Sequence, residues 1–180
     1  MKVRLLILTM LFLALNSYGQ GHEEYFKSGK IKIDNQDYAG AVVDLTKAIE
    51  SKGSTVEQLS VYLYLRGFAK RILEDYGGAI NDFSKAINVL TKSTNAGPEL
   101  LNAIYFQRGL CYLSSGERVL EALDDFNKAI EMNSSNGEFY AIRGLTKISN
   151  KDKEAGCLDL SRAGELGYDK AYEYIKDRCN

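Results

Sequence analysis

A pattern of small and apolar residues recurs four times along this 180-residue chain, and it limits the possible folds more than any other feature. In each copy, a glycine within an apolar stretch is followed 12 or 13 positions later by another small residue, and an alanine comes 7 positions after that. The glycines are Gly29, Gly67, Gly109 and Gly144, at intervals of 38, 42 and 35 residues. Such a period indicates stacked structural units, each of which needs its neighbours to complete a core.

Each copy predicts two amphipathic helices. In the second copy these are residues 59–73 and 76–90, and the later helix carries an apolar stripe at helical spacing: Ala79, Ile80, Phe83, Ala86, Ile87 and Leu90. A glycine inside a helix costs about 1 kcal/mol relative to alanine, so its recurrence predicts close packing between paired helices. Against a 34-residue unit, the longer intervals predict extended connections at residues 56–59 and 95–101.

These copies resemble tetratricopeptide repeats, which carry an aromatic residue or leucine, then glycine, then tyrosine, alanine, phenylalanine and alanine. In the second copy the matching residues are Leu63, Gly67, Tyr76, Ala79, Phe83 and Ala86. The resemblance implies an all-α solenoid of four helix-turn-helix repeats, at about residues 22–55, 60–93, 102–136 and 137–168. A capping helix, residues 169–180 with Asp169 as N-cap, follows. The fourth copy departs from the pattern, with Gly156 in place of alanine.

The first 19 residues have the layout of a secretory signal peptide. Lys2 and Arg4 precede an apolar run of 11 residues, Leu5 to Leu15, and small residues stand at Ser17 and Gly19. The run has about half the length that a membrane-spanning helix needs. We therefore predict cleavage between Gly19 and Gln20, which leaves one domain, residues 20–180, exported to the periplasm or the medium without membrane insertion. An uncleaved membrane anchor is the alternative.

Charged residues recur in the same register. An arginine precedes three of the glycines, at Arg66, Arg108 and Arg143, and an aspartate precedes the large apolar residue of each second helix: Asp44, Asp82, Asp125 and Asp159. Because charges beside a core are usually paired, we predict ion pairs between neighbouring helices. The alternative interpretation of these residues is an internal binding site.

No catalytic pattern emerges from the sequence. His22 is the only histidine, expected at a frayed chain end, and it cannot form a zinc site alone. There is no phosphate-binding loop or nucleophile motif, so we predict a protein without enzymatic activity, cofactor or metal. The net charge of -1 gives no electrostatic reason to expect a nucleic-acid partner.

The three cysteines have different expected roles. Cys111 lies in an apolar helix and is expected to be a buried small hydrophobe. Cys157 begins a helix of the last repeat, and Cys179 ends the capping helix that should pack on it. Export to an oxidising compartment permits a disulfide between them, but the sequence leaves bridged and free thiols as alternatives.

In tetratricopeptide repeats the first helices line a concave groove that holds a peptide or helix of a partner protein. The resemblance places ten residues of this chain there: Phe26, Lys30, Tyr64, Phe68, Arg71, Phe106, Gln107, Leu110, Ile142 and Leu145. Their composition suits an apolar or amphipathic segment that ends in acid. Alternatively, these residues are core, or a second copy covers them as a homodimer.

The resemblance to small exported bacterial proteins of this kind implies an adaptor or scaffold in the cell envelope that binds a partner protein without catalysis. Two alternatives stay open at this point. One is a self-associating structural module, and the other is a non-catalytic subunit of an envelope enzyme complex.

Overall fold

The computed structural model describes residues 21–93, 98–116 and 118–179, and the regular secondary structure in these ranges is entirely α-helical. The chain divides into two compact units, residues 1–93 and 94–180. The first contains α1 (21–34), α2 (Tyr38–Glu50), α3 (Val56–Ile72) and α4 (Tyr76–Thr91). The second contains α5 (Pro98–Ser114), α6 (Val119–Met132), α7 (Gly137–Ser149), α8 (Lys153–Glu165) and α9 (Lys170–Arg178). The predicted signal peptide and its cleavage site lie outside the described residues.

Helix pairs form because short polar turns end one helix and cap the next. Asp37 and Asp75 accept hydrogen bonds of 2.9 Å from the backbone N–H groups of Gly40 and Gly78, within the first turns of α2 and α4. A side-chain oxygen at this position satisfies a donor that the helix start leaves unpaired. The predicted helix-turn-helix pattern is thus confirmed, with α1–α2, α3–α4, α5–α6 and α7–α8 as the pairs.

The predicted connection at residues 56–59 is wrong, because these residues form the first turn of α3. Thr55 caps this turn: its Oγ1 accepts from the N–H of Gln58 at 3.2 Å, and Gln58 Oε1 accepts from the N–H of Thr55 at 2.9 Å. Four extra residues therefore add about one helical turn instead of a loop. The predicted connection at 95–101 is also partly wrong, since α5 begins at Pro98, while residues 95–97 lie outside the described ranges.

The mid-helix glycines lie where two paired helices touch, as the spacing predicted. A methyl group built on Gly109 would approach Cε1 of Phe126 to 2.6 Å, closer than real side-chain contacts allow. The same applies to Gly29 beside Leu45, at 2.8 Å, and to Gly67 beside Phe83, at 2.9 Å. Because all three partner side chains are fully buried, the glycines make room for the largest residues of the core.

Gly156 explains how the fourth copy departs from the repeat pattern. A methyl group on Gly144 would meet the backbone oxygen of Gly156 at 2.7 Å, and one on Gly156 would meet Ile148 Cγ1 at 2.5 Å. In this pair the contact is therefore between backbones, and both partners must be small. The alanine expected at residue 156 would not fit at this helix separation.

The predicted capping helix is α9, which packs against α8 and α7. Its Ala171 is fully buried in a cluster with Ala141, Leu160 and Ala163. The structure joins α9 to α8 through a Cys157–Cys179 disulfide with a Cα–Cα distance of 5.8 Å. The predicted N-cap is wrong in one respect: Asp169 precedes the helix but makes no capping hydrogen bond, because its own φ and ψ of -56° and -32° are already helical.

The predicted arginine–aspartate pairs are confirmed, and each joins the two helices of one pair. The Nε and Nη2 groups of each arginine donate to both carboxylate oxygens of one aspartate at 2.7–2.8 Å. This two-point geometry is the strongest that a guanidinium and a carboxylate can form. The pairs are Arg66–Asp82, Arg108–Asp125 and Arg143–Asp159.

Asp44, in the first copy, is held differently because Ser28 stands where the other copies have arginine. Ser28 donates to Asp44 at 2.6 Å and Lys32 forms an ion pair with it at 2.8 Å. The Lys32 ammonium and the Ser28 hydroxyl hold the pKa of Asp44 below its ordinary value. Asp44 therefore stabilises the fold above the pKa of an unfolded aspartate, and this contribution is lost as the pH falls through the lowered folded-state pKa.

We expect Arg108→Ala to lower the free energy of unfolding by about 3 kcal/mol, because it leaves a buried carboxylate without its partner. The Asp125 side chain is only 2% exposed, and burial raises its pKa even with Arg108 in place. Asp82 and Asp159 each keep a second cation, Lys70 or Lys147 at 2.8 Å. The same change at Arg66 or Arg143 should therefore be milder. Denaturant unfolding at pH 7 measures these differences.

Arg162→Ala is the matched control, because Arg162 forms an ion pair with Glu165 in which both side chains are at least half exposed. Exposed pairs contribute about 0–1 kcal/mol, so this variant should unfold nearly like the parent protein. Equal effects of Arg108→Ala and Arg162→Ala would contradict a structural role for the arginine–aspartate pairs.

Candidate protein-binding surface

The ten predicted groove residues lie on first helices of the helix pairs, and they divide equally between the two units. The first unit holds Phe26, Lys30, Tyr64, Phe68 and Arg71 on α1 and α3. The second holds Phe106, Gln107, Leu110, Ile142 and Leu145 on α5 and α7. The geometry of each group follows from the packing within its own unit.

At the start of α1, aromatic contacts hold the helix against α3. Phe26 is half-buried, with its ring 4.8 Å from that of Tyr62. The expectation of a frayed His22 is wrong: this residue is 3% exposed and its Nδ1 lies 2.9 Å from the Tyr62 hydroxyl. Burial raises the pKa of Tyr62. The polar residues around His22 gave no sequence signal for this contact, which depends on the side-by-side packing of α1 and α3.

Three of the predicted residues share one face of α3, because their spacings of 4 and 3 return to the same side of a helix. The Tyr64 ring lies 6.1 Å from that of Phe83, and the Phe68 ring is edge-on to Tyr38 at 6.4 Å. The guanidinium carbon of Arg71 stands 5.4 Å above the Phe68 ring. Arg71 Nε is buried and has no hydrogen-bond acceptor among the described residues. Lys30, on α1, is exposed.

Phe106 does not belong to an open surface. It is 5% exposed, and its ring lies between those of Phe126 and Phe139 at 5.6 and 4.6 Å. For this residue the core alternative applies, because two large aromatic neighbours in the same unit cover it. Its neighbour Gln107 is half-buried, and its Oε1 has no hydrogen-bond partner in the described part of the chain.

The remaining three predicted residues meet in one pocket. Leu110, Ile142 and Leu145 are half-buried and line a depression of about 290 Å³. The sequence analysis missed its other lining residues, which are Leu113, Val119, Thr146 and Ser149. Helical spacing could have indicated two of them, since Leu113 follows Leu110 by three positions and Ser149 follows Leu145 by four.

The chemistry of this pocket is apolar. No charged side chain lines it, and the Thr146 hydroxyl already donates to the backbone oxygen of Ile142 at 2.7 Å. Its volume is near the lower end of small-molecule sites, which begin at about 300 Å³. The pocket is therefore suited to one apolar side chain of a larger partner.

A second depression, of about 480 Å³, lies beside the disulfide on α8 and the end of α9. Its lining includes Leu158, which is 68% exposed, together with Cys157 and Cys179. These residues belong to a second helix and the cap, so the depression is separate from the predicted surface.

Within residues 21–93, 98–116 and 118–179, no group of three histidine, cysteine or acidic side chains is arranged to hold a metal ion. No helix in the same ranges combines the length and the apolar character needed to cross a membrane. Cys111 is fully buried, in agreement with its expected role as a small hydrophobe.

Several solved structures have a similar fold. MamA is 22% identical with a TM-score of 0.71, over 88% of this chain and 85% of that one. YrrB, described as a TPR protein with an unusual peptide-binding site, is 20% identical with a TM-score of 0.71, over 91% and 78%. A tetratricopeptide repeat protein from Parabacteroides merdae is 22% identical with a TM-score of 0.70, over 83% and 55%.

No protein-family model and no curated protein matches the chain. The structural similarity, together with the glycine and arginine contacts inside each helix pair, confirms what the repeated residues predicted. The chain has the fold of the tetratricopeptide-repeat proteins.

Proposed function

We propose that this protein is a non-enzymatic interaction module of the bacterial cell envelope that binds a peptide or helix of a partner protein on the faces of its first helices. The observation that carries the proposal is the uncharged pocket between Leu110, Ile142 and Leu145. Similarity of fold alone would not assign a function, because one fold hosts many activities.

The pocket favours an apolar anchor residue. Leucine and isoleucine side chains from α5 and α7 are only half-buried there, so an entering side chain would remove further apolar surface from water. Complete burial of one large aliphatic or aromatic side chain contributes about 1.5–3 kcal/mol. A single anchor therefore gives weak binding, and a useful affinity requires a partner segment that contacts several residues of the surface.

Gln107 adds a polar requirement in the same unit. Its buried Oε1 is an unused acceptor, and a buried acceptor without a donor costs about 1–3 kcal/mol. A backbone N–H group of a bound segment would satisfy it. The combination of an apolar pocket and a backbone-reading amide suits a peptide better than a lipid or a hydrocarbon.

The only histidine supports a role without catalysis. Its ring is buried against Tyr62, so it is not available as a general base in either depression of the second unit. The pocket itself offers two hydroxyl groups, those of Thr146 and Ser149, and no titratable group beside them. Recruitment of a partner needs none of these groups to react.

Location in the envelope is part of the proposal and depends on the first 19 residues. We expect mass spectrometry of the protein recovered from a periplasmic fraction to show an amino terminus at Gln20. The physical reason is that the short apolar run suits a signal peptidase substrate more than a stable membrane anchor. Recovery of the chain with residues 1–19 intact, in the cytosol or in the membrane, would contradict export by cleavage.

We expect Leu145→Asp to weaken peptide binding by about tenfold to a hundredfold, because a carboxylate would enter the apolar pocket. The probe is a random 12-residue peptide library displayed on phage and selected on the purified mature protein. Fluorescence anisotropy of an enriched peptide then gives the dissociation constant. We expect enriched peptides to share one large apolar residue.

Leu120→Asp is the matched control, since Leu120 is 71% exposed on α6 and does not line the pocket. It should bind the peptide like the parent protein, and both variants should keep the helical circular dichroism. Equal binding by the two variants would argue against the pocket. Failure to enrich any peptide, together with a solution mass of twice the monomer, would favour self-association instead.

A further inference from the structure

Arg71 differs from the other half-buried arginines of the helix pairs. Arg66, Arg108 and Arg143 each grip an aspartate, whereas Arg71 Nε has no acceptor and its guanidinium forms no ion pair within the described parts of the chain. Burying part of a cation without a counter-charge is costly, and proteins rarely do so without a use for the cation.

The acid that α4 could offer is already engaged. Asp82 is the sole acidic residue of α4, and it accepts from Arg66 at 2.7 Å and from Lys70 at 2.8 Å. A shift of Arg71 toward Asp82 would have to displace one of these cations. The protein's own packing therefore leaves Arg71 available for an external anion.

The side chains around Arg71 hold its guanidinium in place. The Phe68 ring lies beneath it, at 5.4 Å from the guanidinium carbon. Tyr64 is within its electrostatic reach: burial raises the pKa of the phenol, and the Arg71 cation opposes that rise. The three residues occupy one face of α3, so a ligand at Arg71 also meets an aromatic platform and a phenolic hydroxyl.

We infer that Arg71 anchors a carboxylate of the bound peptide, with Phe68 as the platform beneath it and Tyr64 as an additional hydrogen-bond donor. This inference rests on the proposed function and specifies the chemistry of the partner. A guanidinium presents two parallel N–H groups that match the two oxygens of a carboxylate. The carboxylate belongs either to an Asp or Glu side chain or to the carboxyl terminus of the peptide.

A titration with a small carboxylate tests the anchor without any peptide. The probe is N-acetylphenylalanine as its sodium salt, and N-acetylphenylalanine amide is the uncharged comparison. The observable is the Nε–Hε NMR signal of Arg71, assigned by its loss in Arg71→Gln. We expect the acid to shift this signal in a saturable way and the amide to leave it in place.

Arg178, near the end of α9 and exposed, is the internal control for nonspecific anion effects. Its Nε–Hε signal should not saturate with the acid. Equal shifts of Arg71 and Arg178, or equal effects of the acid and the amide on Arg71, would overturn the inference.

The peptide enriched on the mature protein supplies the second arm. Arg71→Gln should weaken its binding by about tenfold or more, the usual effect of losing a hydrogen-bonded charge. Arg71→Lys should restore only part of the affinity, because an ammonium keeps the charge but lacks the planar fork. Amide forms of the side-chain acids and of the carboxyl terminus, tested separately, identify which carboxylate loses its effect in Arg71→Gln.

The two arms separate failure of the anchor from failure of the proposed function. If Arg71→Gln, folded by circular dichroism, binds the peptide like the parent protein, Arg71 is not the anchor and peptide binding stands. If no peptide is enriched, the proposed function fails, and the titration still decides whether Arg71 binds a carboxylate.

Discussion

The contact between a mid-helix glycine and a large residue of the partner helix is the constraint on which the rest of the structure depends. It sets the separation of the two helices in each pair, and the neighbouring residues follow from it. One position before the glycine, an arginine reaches the aspartate of the second helix in three of the four pairs. One position after it, about 100° around the helix, come Lys30, Phe68, Leu110 and Leu145, all of which belong to the candidate surface.

The same arginines also connect neighbouring pairs within a unit. Nη1 of Arg66 donates to Thr46 of α2 at 3.0 Å, and Nη1 of Arg143 donates to Asn127 of α6 at 2.8 Å. Each of these guanidinium groups therefore joins three helices. This arrangement favours the structural interpretation of the repeated charges over an internal binding site, because their donors are used inside the fold. Arg71, whose Nε has no such partner, is the contrast that identifies a cation available to a ligand.

The features that repeat could be predicted from the sequence, and those that occur once could not. Gly67 and Arg66 stand at fixed positions in every unit of the pattern, so their contacts with Phe83 and Asp82 followed from spacing alone. The extra turn at the start of α3 depends on the capping of Thr55, which a comparison with a 34-residue unit cannot reveal. Similarly, Phe106 occupies a groove position by phase, but two aromatic neighbours that meet only in the folded unit cover it. The unsatisfied atoms of Arg71 and Gln107 have no sequence signature, because they depend on what every neighbour does.

The most direct test of the packing constraint is a double-mutant cycle between Gly109 and Phe126, measured by denaturant unfolding. In the parent protein, Gly109→Ala should destabilise the fold by about 1–3 kcal/mol, because the added methyl group meets the Phe126 ring. In the background of Phe126→Leu, which removes that ring, the same change should be neutral or stabilising, since alanine favours a helix by about 1 kcal/mol. The same effect of Gly109→Ala in both backgrounds would contradict the account.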